Sequence, residues 1–293
     1  MLRTSLGLKH IEDIEALKKE MELVTGAGFD TVDLDLSMDG QLEMLHDPDC
    51  MKRAEEARRV LDGFGMKVYQ GHAPFGMHKP GDPEFERRQR EDVLRSISAA
   101  AVLGIEYLIV HPYTCWSPDD PLYTQHEKLL GINTRMYGEL VERGGREGVK
   151  ICTENMLGGN VPYTCSWPTV YSAAGDLNEL MDAVPGLTCC LDAGHALVTG
   201  QDPAEMVREM GARVTALHLH NNNRQLDLHL SPFQSYPTDW MPFCRALKET
   251  GYSGSVNLEV GTFAAYCPEK MKAPSYAYLH AAAAALAEMI EEE

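Results

Sequence analysis

Eight short apolar runs alternate with helix-like segments along this chain, and a side chain able to ligate a metal ends six of the runs. The loops that follow the runs are long, whereas the connections that precede them are mostly short turns. These three observations predict a (β/α)8 TIM barrel in a single domain, because parallel strands closed into a barrel put all their carboxyl ends on one face. A doubly wound open sheet is the competing fold, but it gathers its site at one switch point and not at nearly every strand end. The length of 293 residues suits one α/β barrel.

The elements follow in order. Thr4 to Leu8 reads as a first strand, and Ile14, Leu17, Met21 and Val24 then recur at helical spacing until Gly26-Ala27-Gly28 ends the helix. Thr31 to Leu36 is strand two. A helix from Pro48 to Leu61 stops at Gly63 and Gly65, and Lys67 to His72 is strand three. Phe85 to Leu103 is a long helix ended by Gly104, before strand four, Tyr107 to His111. Tyr123 to Arg146 is helical and Val149 to Glu154 is strand five. Leu177 to Val184 is a short helix, and Leu187 to Asp192 is strand six. The helix Pro203 to Met210 leads to strand seven, Val214 to His220. The helix Asp239 to Thr250 leads to strand eight, Ser255 to Val260, and an Ala-rich helix from Pro274 to Ile290 closes the chain.

Composition narrows the function. A hydrophobic content of 44% fits a globular protein with a sizeable core, and no apolar run reaches the ~20 residues of a membrane span. A formal net charge of −18 disfavours nucleic acid, because affinity for it comes mostly from phosphate neutralisation by Lys and Arg. Eight cysteines without a CxxC pair, behind a start lacking a signal-peptide pattern, read as reduced thiols in a cytoplasmic protein.

The chemistry lies at the strand ends. His72, His111, Glu154, Asp192, His218 and Glu259 end strands, His195 follows Asp192 by three, and Asp227 and His229 form an Asp-x-His pair in the loop after His218. A lone histidine at a strand end is usually a hydrogen-bonded structural residue. Six histidines at or just beyond strand ends, among carboxylates, describe instead a divalent-metal site at the barrel mouth.

Cys190-Leu191-Asp192-Ala193-Gly194-His195-Ala196, Thr153-Glu154-Asn155 and the run His218-Leu219-His220-Asn221-Asn222-Asn223-Arg224-Gln225-Leu226-Asp227-Leu228-His229 resemble the xylose-isomerase-like TIM-barrel superfamily. That group includes sugar-phosphate isomerases and epimerases, ketose 3-epimerases and endonuclease IV. The epimerase branch implies one metal held by Glu154, Asp192, His218 and Glu259, with His195 and Arg224 on substrate. His220 shares a face with His218, so either histidine could be the ligand. The endonuclease branch implies a nine-ligand set that adds His72, His111, His195, Asp227 and His229, and Phe75 stands where that enzyme wedges an aromatic into DNA. Two departures are visible: Asn221-Asn222-Asn223 replaces an Asp-Ser-Lys-like stretch, and Gly194 replaces a cysteine.

The resemblance implies a metal-dependent isomerase or epimerase of a sugar or sugar phosphate, acting through an enediolate. Glu154 and Glu259 would exchange the proton. The cofactor would be Zn2+ or Mn2+ at one site, with capacity for a second or third ion. Trp116, Trp167, Tyr113 and Phe263 are the candidate cavity wall, with Trp116 and His220 placed on substrate. The alternative is an endonuclease IV-like phosphodiesterase acting on abasic DNA. Sugar identity, phosphorylation and homo-oligomer formation stay open.

Overall fold

A computed structural model of the protein describes residues 2–8, 11–37, 39–75, 82–114, 122–158, 166, 168–260, 263–264 and 266–292. Its eight parallel strands are β1 (Arg3–Leu8), β2 (Thr31–Asp35), β3 (Lys67–His72), β4 (Ile105–Ile109), β5 (Lys150–Glu154), β6 (Thr188–Asp192), β7 (Val214–His218) and β8 (Ser255–Leu258). Strands consecutive in sequence pair from β1 to β7, and β1 also pairs with β8. The β7–β8 seam closes at the carboxyl ends, where Leu219 N–H donates to Asn257 O at 3.0 Å and Glu259 N–H to Leu219 O at 3.2 Å. The fold is the predicted TIM barrel.

The helices are α1 (Ile14–Ala27), α2 (Asp39–His46), α3 (Cys50–Gly63), α4 (Pro83–Leu103), α5 (Leu122–Glu147), α6 (Ala174–Ala183), α7 (Ala193–Val198), α8 (Pro203–Met210), α9 (Met241–Glu249) and α10 (Glu269–Glu292). Local chemistry sets their ends. Asp13 Oδ1 accepts from Glu15 N–H and Ala16 N–H at the start of α1, and Gly28, at φ 103°, ends it in the left-handed region. Asp82 caps α4 ahead of Pro83. Leu17, Met21 and Val24 form the buried stripe of α1. That stripe and its counterparts on the other helices share one core with Val32, Leu34, Val68, Leu108, Ile151, Leu191, Leu217 and Val256 from the strands.

Several elements differ from the sequence reading. Strands β4 and β7 end at Ile109 and His218, so His111 and His220 stand one side-chain alternation beyond them. Helices α2 and α7 had no periodic stretch long enough to be read. Helix α10 starts at Glu269 and carries Pro274 inside, where the ring costs one backbone hydrogen bond.

Alternation with period two puts one row of each strand inside the barrel. Ile109, Cys152, Cys190 and Ala216 form a small apolar cluster there, apart from the main core. The same rows carry Asp33, Gln70, His72, Glu154, Asp192, His218 and Asn257, all buried. Among the described residues, no helix is long and apolar enough to cross a membrane.

Candidate metal centre

Three groups of donors meet at the carboxyl end of the barrel. In the first, His72 Nε2 lies 2.9 Å from His111 Nε2. Glu154 Oε2 lies 3.5 Å from the former and 3.1 Å from the latter. In the second, His218 Nδ1 faces Glu154 Oε1 at 2.9 Å, Glu259 Oε2 at 3.6 Å and Asp192 Oδ2 at 3.9 Å. In the third, Asp227 Oδ2 lies 3.0 Å from His229 Nε2 and 3.5 Å from His195 Nε2. Glu154 bridges the first two groups. Asp192 bridges the last two, since His195 Nε2 is 3.8 Å from its Oδ2.

In four of the histidines the other nitrogen is anchored, which fixes the free lone pair. The Nδ1–H groups of His72, His195 and His229 donate to the carbonyls of Ala73 (2.7 Å), Asn155 (2.8 Å) and Glu259 (2.9 Å). A carbonyl can only accept, so Nε2 of each ring is left facing the donor groups. His218 is reversed, with Nε2 placed 3.1 Å from Asp33 Oδ2.

The local sequence builds these placements. Asp192 ends β6 and caps α7, its Oδ1 accepting from His195 N–H at 2.6 Å, which is why a histidine three residues on returns to the site. Asn155 clasps the same residue across the β5–β6 seam: its Oδ1 accepts from Asp192 N–H at 2.7 Å, and its Nδ2 donates to Asp192 O at 2.8 Å.

A divalent cation fits this donor set. Buried polar atoms are normally paired, yet Glu154 Oε2, Asp227 Oδ1 and His220 Nδ1 are buried without a well-aligned hydrogen-bond partner. Several trios of these donors lie within 4.8 Å of one another, including His72–His111–Glu154 and Asp192–His218–Glu259. Imidazole with carboxylate suits zinc or manganese.

Carboxylates and imidazoles in the cluster shift one another. Burial raises the Glu154 carboxyl, but His218, His111 and His72 hold it well below its ordinary value. Asp192 is likewise lowered, burial being outweighed by His195 and His220. Burial pushes His195 and His218 down, yet their carboxylate neighbours hold both well above the ordinary histidine value. Burial also opposes the charge on His229, which Glu259 and Asp227 nonetheless raise to about 10. His111 goes the other way, to about 4, through burial and the neighbouring His72.

The profile of the xylose isomerase-like TIM barrel family matches residues 21–284. The chain belongs to that family. An inosose dehydratase from Geobacillus kaustophilus (strain HTA426) is 26% identical over 196 residues, 59% of this chain and 63% of that protein. The match therefore spans under two thirds of that relative. A D-tagatose 3-epimerase-like protein of known structure superposes with a TM-score of 0.75 at 21% identity, covering 100% of this chain and 99% of its own. D-allulose 3-epimerase from Methylomonas sp., in complex with D-allulose, gives 0.72 at 14% identity over 98% and 97%.

Against this xylose isomerase-like frame, the nine residues of the extended ligand set come together at one mouth. His220 joins them: its Nε2 is 3.1 Å from Asp192 Oδ1 and its ring stacks on His229 at 4.1 Å. It therefore sits on the outer side of Asp192, while His218 faces Glu154 and Glu259. Arg224 is exposed and lines a separate cavity with Leu197, Asp202 and Trp240. Tyr113 lines another cavity, between α4 and α5, and Phe263 stacks on Tyr278. Trp116 and Trp167 lie outside the described residues. Among the described residues, the aromatic that touches the donors is Phe75, its ring 5.0 Å from His72 and 4.9 Å from His111.

Asp33 and Asp35 escaped the sequence reading. With Gly7, His72, Phe75, His218 and Glu259 they line a small cavity beside the donors. The usable signal was two carboxylates spaced by two in an otherwise apolar strand, which puts both on the inner face.

Proposed function

We propose that this protein is a divalent-metal-dependent isomerase or epimerase of a sugar or sugar phosphate, moving a proton at the carbon beside a carbonyl. The observation that carries the reading is the pair Glu154 and Glu259, which approach the same His218 nitrogen, at 2.9 and 3.6 Å, from β5 and from the end of β8. The structural neighbours named above are sugar epimerases or epimerase-like, and parallel barrels in general carry their chemistry at this end. Glu154, Asp192, His218 and Glu259 would hold the metal, and His72, His111, His195, Asp227 and His229 give capacity for more. When bound, the ion supplies Lewis-acid stabilisation of the negative charge that develops on the substrate oxygens.

The chain's own groups do the rest. Glu259 is 30% exposed on its side chain and lines the small cavity, so it can reach a substrate carbon from the β8 side. Glu154 is ionised and nearly closed off from solvent, and its Oε2 lacks a well-aligned hydrogen bond. One carboxylate removes the proton and the other returns it from the opposite side. His195 orients a hydroxyl. Phe75 covers the His72–His111 edge and excludes water there.

The test is incubation of metal-loaded protein with a panel of ketoses in deuterated water. Deuterium is expected in the product at the carbon beside the carbonyl. Glu154→Gln and Glu259→Gln should each lower kcat by about 10²- to 10⁴-fold, with smaller effects on KM. The dehydratase among the relatives suggests a variant outcome from the same first step, a product lighter by one water.

The grouping of nine donors into three clusters supports a second reading, a phosphodiesterase of the endonuclease IV type. It predicts cleavage of an abasic-site duplex and no carbon-bound deuterium. Efficient cleavage without any labelled sugar would overturn the isomerase reading.

A further inference from the structure

We propose that Asp33, on β2, is a positioning residue that makes Nδ1 the metal-facing atom of His218. This rests on the metal reading given above. Asp33 is 4% exposed, and a carboxylate at that depth costs free energy unless it is hydrogen-bonded. Its Oδ2 collects three neighbours: Gln70 Nε2 at 2.9 Å, Asn257 Nδ2 at 3.0 Å and His218 Nε2 at 3.1 Å. The Gln70 amide is oriented independently, since the same nitrogen donates to Leu217 O at 3.1 Å and Ser255 Oγ donates to Gln70 Oε1 at 3.3 Å.

The amide N–H groups of Gln70 and Asn257 can only donate, so Oδ2 is an acceptor and the ring presents a hydrogen to it on Nε2. Once one ring nitrogen is the donor, the other is the only site for a lone pair. That other nitrogen, Nδ1, points at Glu154, Glu259 and Asp192. His72, His195 and His229 achieve the opposite orientation by giving Nδ1–H to backbone carbonyls. His218 alone among these four uses a side chain, so its orientation can be changed by substitution. Asp33 touches no other donor of the cluster within ion-pair distance, among the described residues. It acts through the ring.

The experiment measures zinc affinity by chelator competition on the full-length protein. Asp33→Asn keeps the size of the side chain but adds an amide N–H that competes for the ring nitrogen. Zinc binding should weaken by about 10- to 100-fold, the usual effect of losing a partner behind a ligand histidine. Asn257→Leu removes a different donor to Asp33. It should lower thermal stability while leaving zinc affinity unchanged, which a purely structural role for Asp33 would not produce. A 15N spectrum of the histidine rings in zinc-loaded wild-type protein should show zinc on Nδ1 and hydrogen on Nε2 of His218. That spectrum needs no variant and decides the matter even if Asp33→Asn fails to fold. Zinc on Nε2, or unchanged affinity in a folded Asp33→Asn protein, overturns the role of Asp33 while leaving the metal site standing. A wild-type protein that binds no zinc overturns the metal site itself and, with it, this role.

Discussion

Gly194 shows how one missing carbon shapes the site. A Cβ at this position would lie 1.9 Å from His220 Cε1, so any other residue collides with the ring. The ring cannot retreat easily, being held by Asp192 and stacked on His229. The cysteine that the endonuclease-like pattern has here is therefore incompatible with His220 in this position. Gly194→Ala should destabilise the protein by about 1–3 kcal/mol, the usual cost of overpacking. Removing the ring with His220→Ala in the same chain should recover much of that loss. A double-mutant cycle of denaturation midpoints measures the coupling, and additive effects would show that the ring is not what the new carbon meets. Asp192→Ala acts on the metal instead. It removes a carboxylate shared by two donor groups, and most bound metal should disappear by elemental analysis.

At the scale of elements, the seam between β5 and β6 carries the site. Asn155 satisfies both backbone polar groups of Asp192, and Asp192 in turn caps α7 and sets His195. Asn155→Ala leaves a buried N–H and a buried C=O unpaired, which costs about 1–3 kcal/mol for each such group. The expected result is a lower midpoint in urea together with weaker zinc binding, since both β6 and α7 lose their register with β5. Stability lost without any change in zinc affinity would mean that Asp192 holds its place unaided. Helix α7 itself was invisible in the sequence, because six residues are too few for a helical period to declare itself.

For the whole molecule, the metal-free cluster trades protons for metal. Without an ion, the neighbouring carboxylates favour the protonated forms of His195 and His218, both held well above the ordinary value, and of His229, raised to about 10. Ligation needs their lone pairs, so zinc binding at pH 7 should release protons. Calorimetry in buffers of differing ionisation enthalpy reads that release, which should diminish as pH rises toward 10. The same shift makes stability depend on pH in the chelated protein. His229 is raised from 6.5 to about 10, so its contribution is complete below about pH 6.5 and is lost as pH climbs to 10. Glu154 and Asp192 are lowered, so theirs is present above the ordinary carboxylate range and is lost in acid. Urea midpoints of chelated protein should therefore fall on both sides of neutrality. A midpoint that rises steadily from pH 7 to 10 would contradict the imidazolium–carboxylate pairing.

Alternation of apolar runs determined the barrel, because a strand that ends in a ligand side chain can point it only to the common mouth. The donor types were legible for the same reason: His72, Glu154, Asp192 and His218 are each the last residue of a strand. What the chain could not disclose is which atom of each residue faces which neighbour. Asp33 sits mid-strand, and its partners Gln70, His218 and Asn257 come from β3, β7 and β8, far away in sequence. Arg224 stands at the expected spacing from His218, yet its positive φ of 63° and the turn around Asn222 carry it to another cavity. Spacing along a strand is local and survives in the sequence. The pairing of buried polar atoms across a closed barrel is set only when eight strands meet.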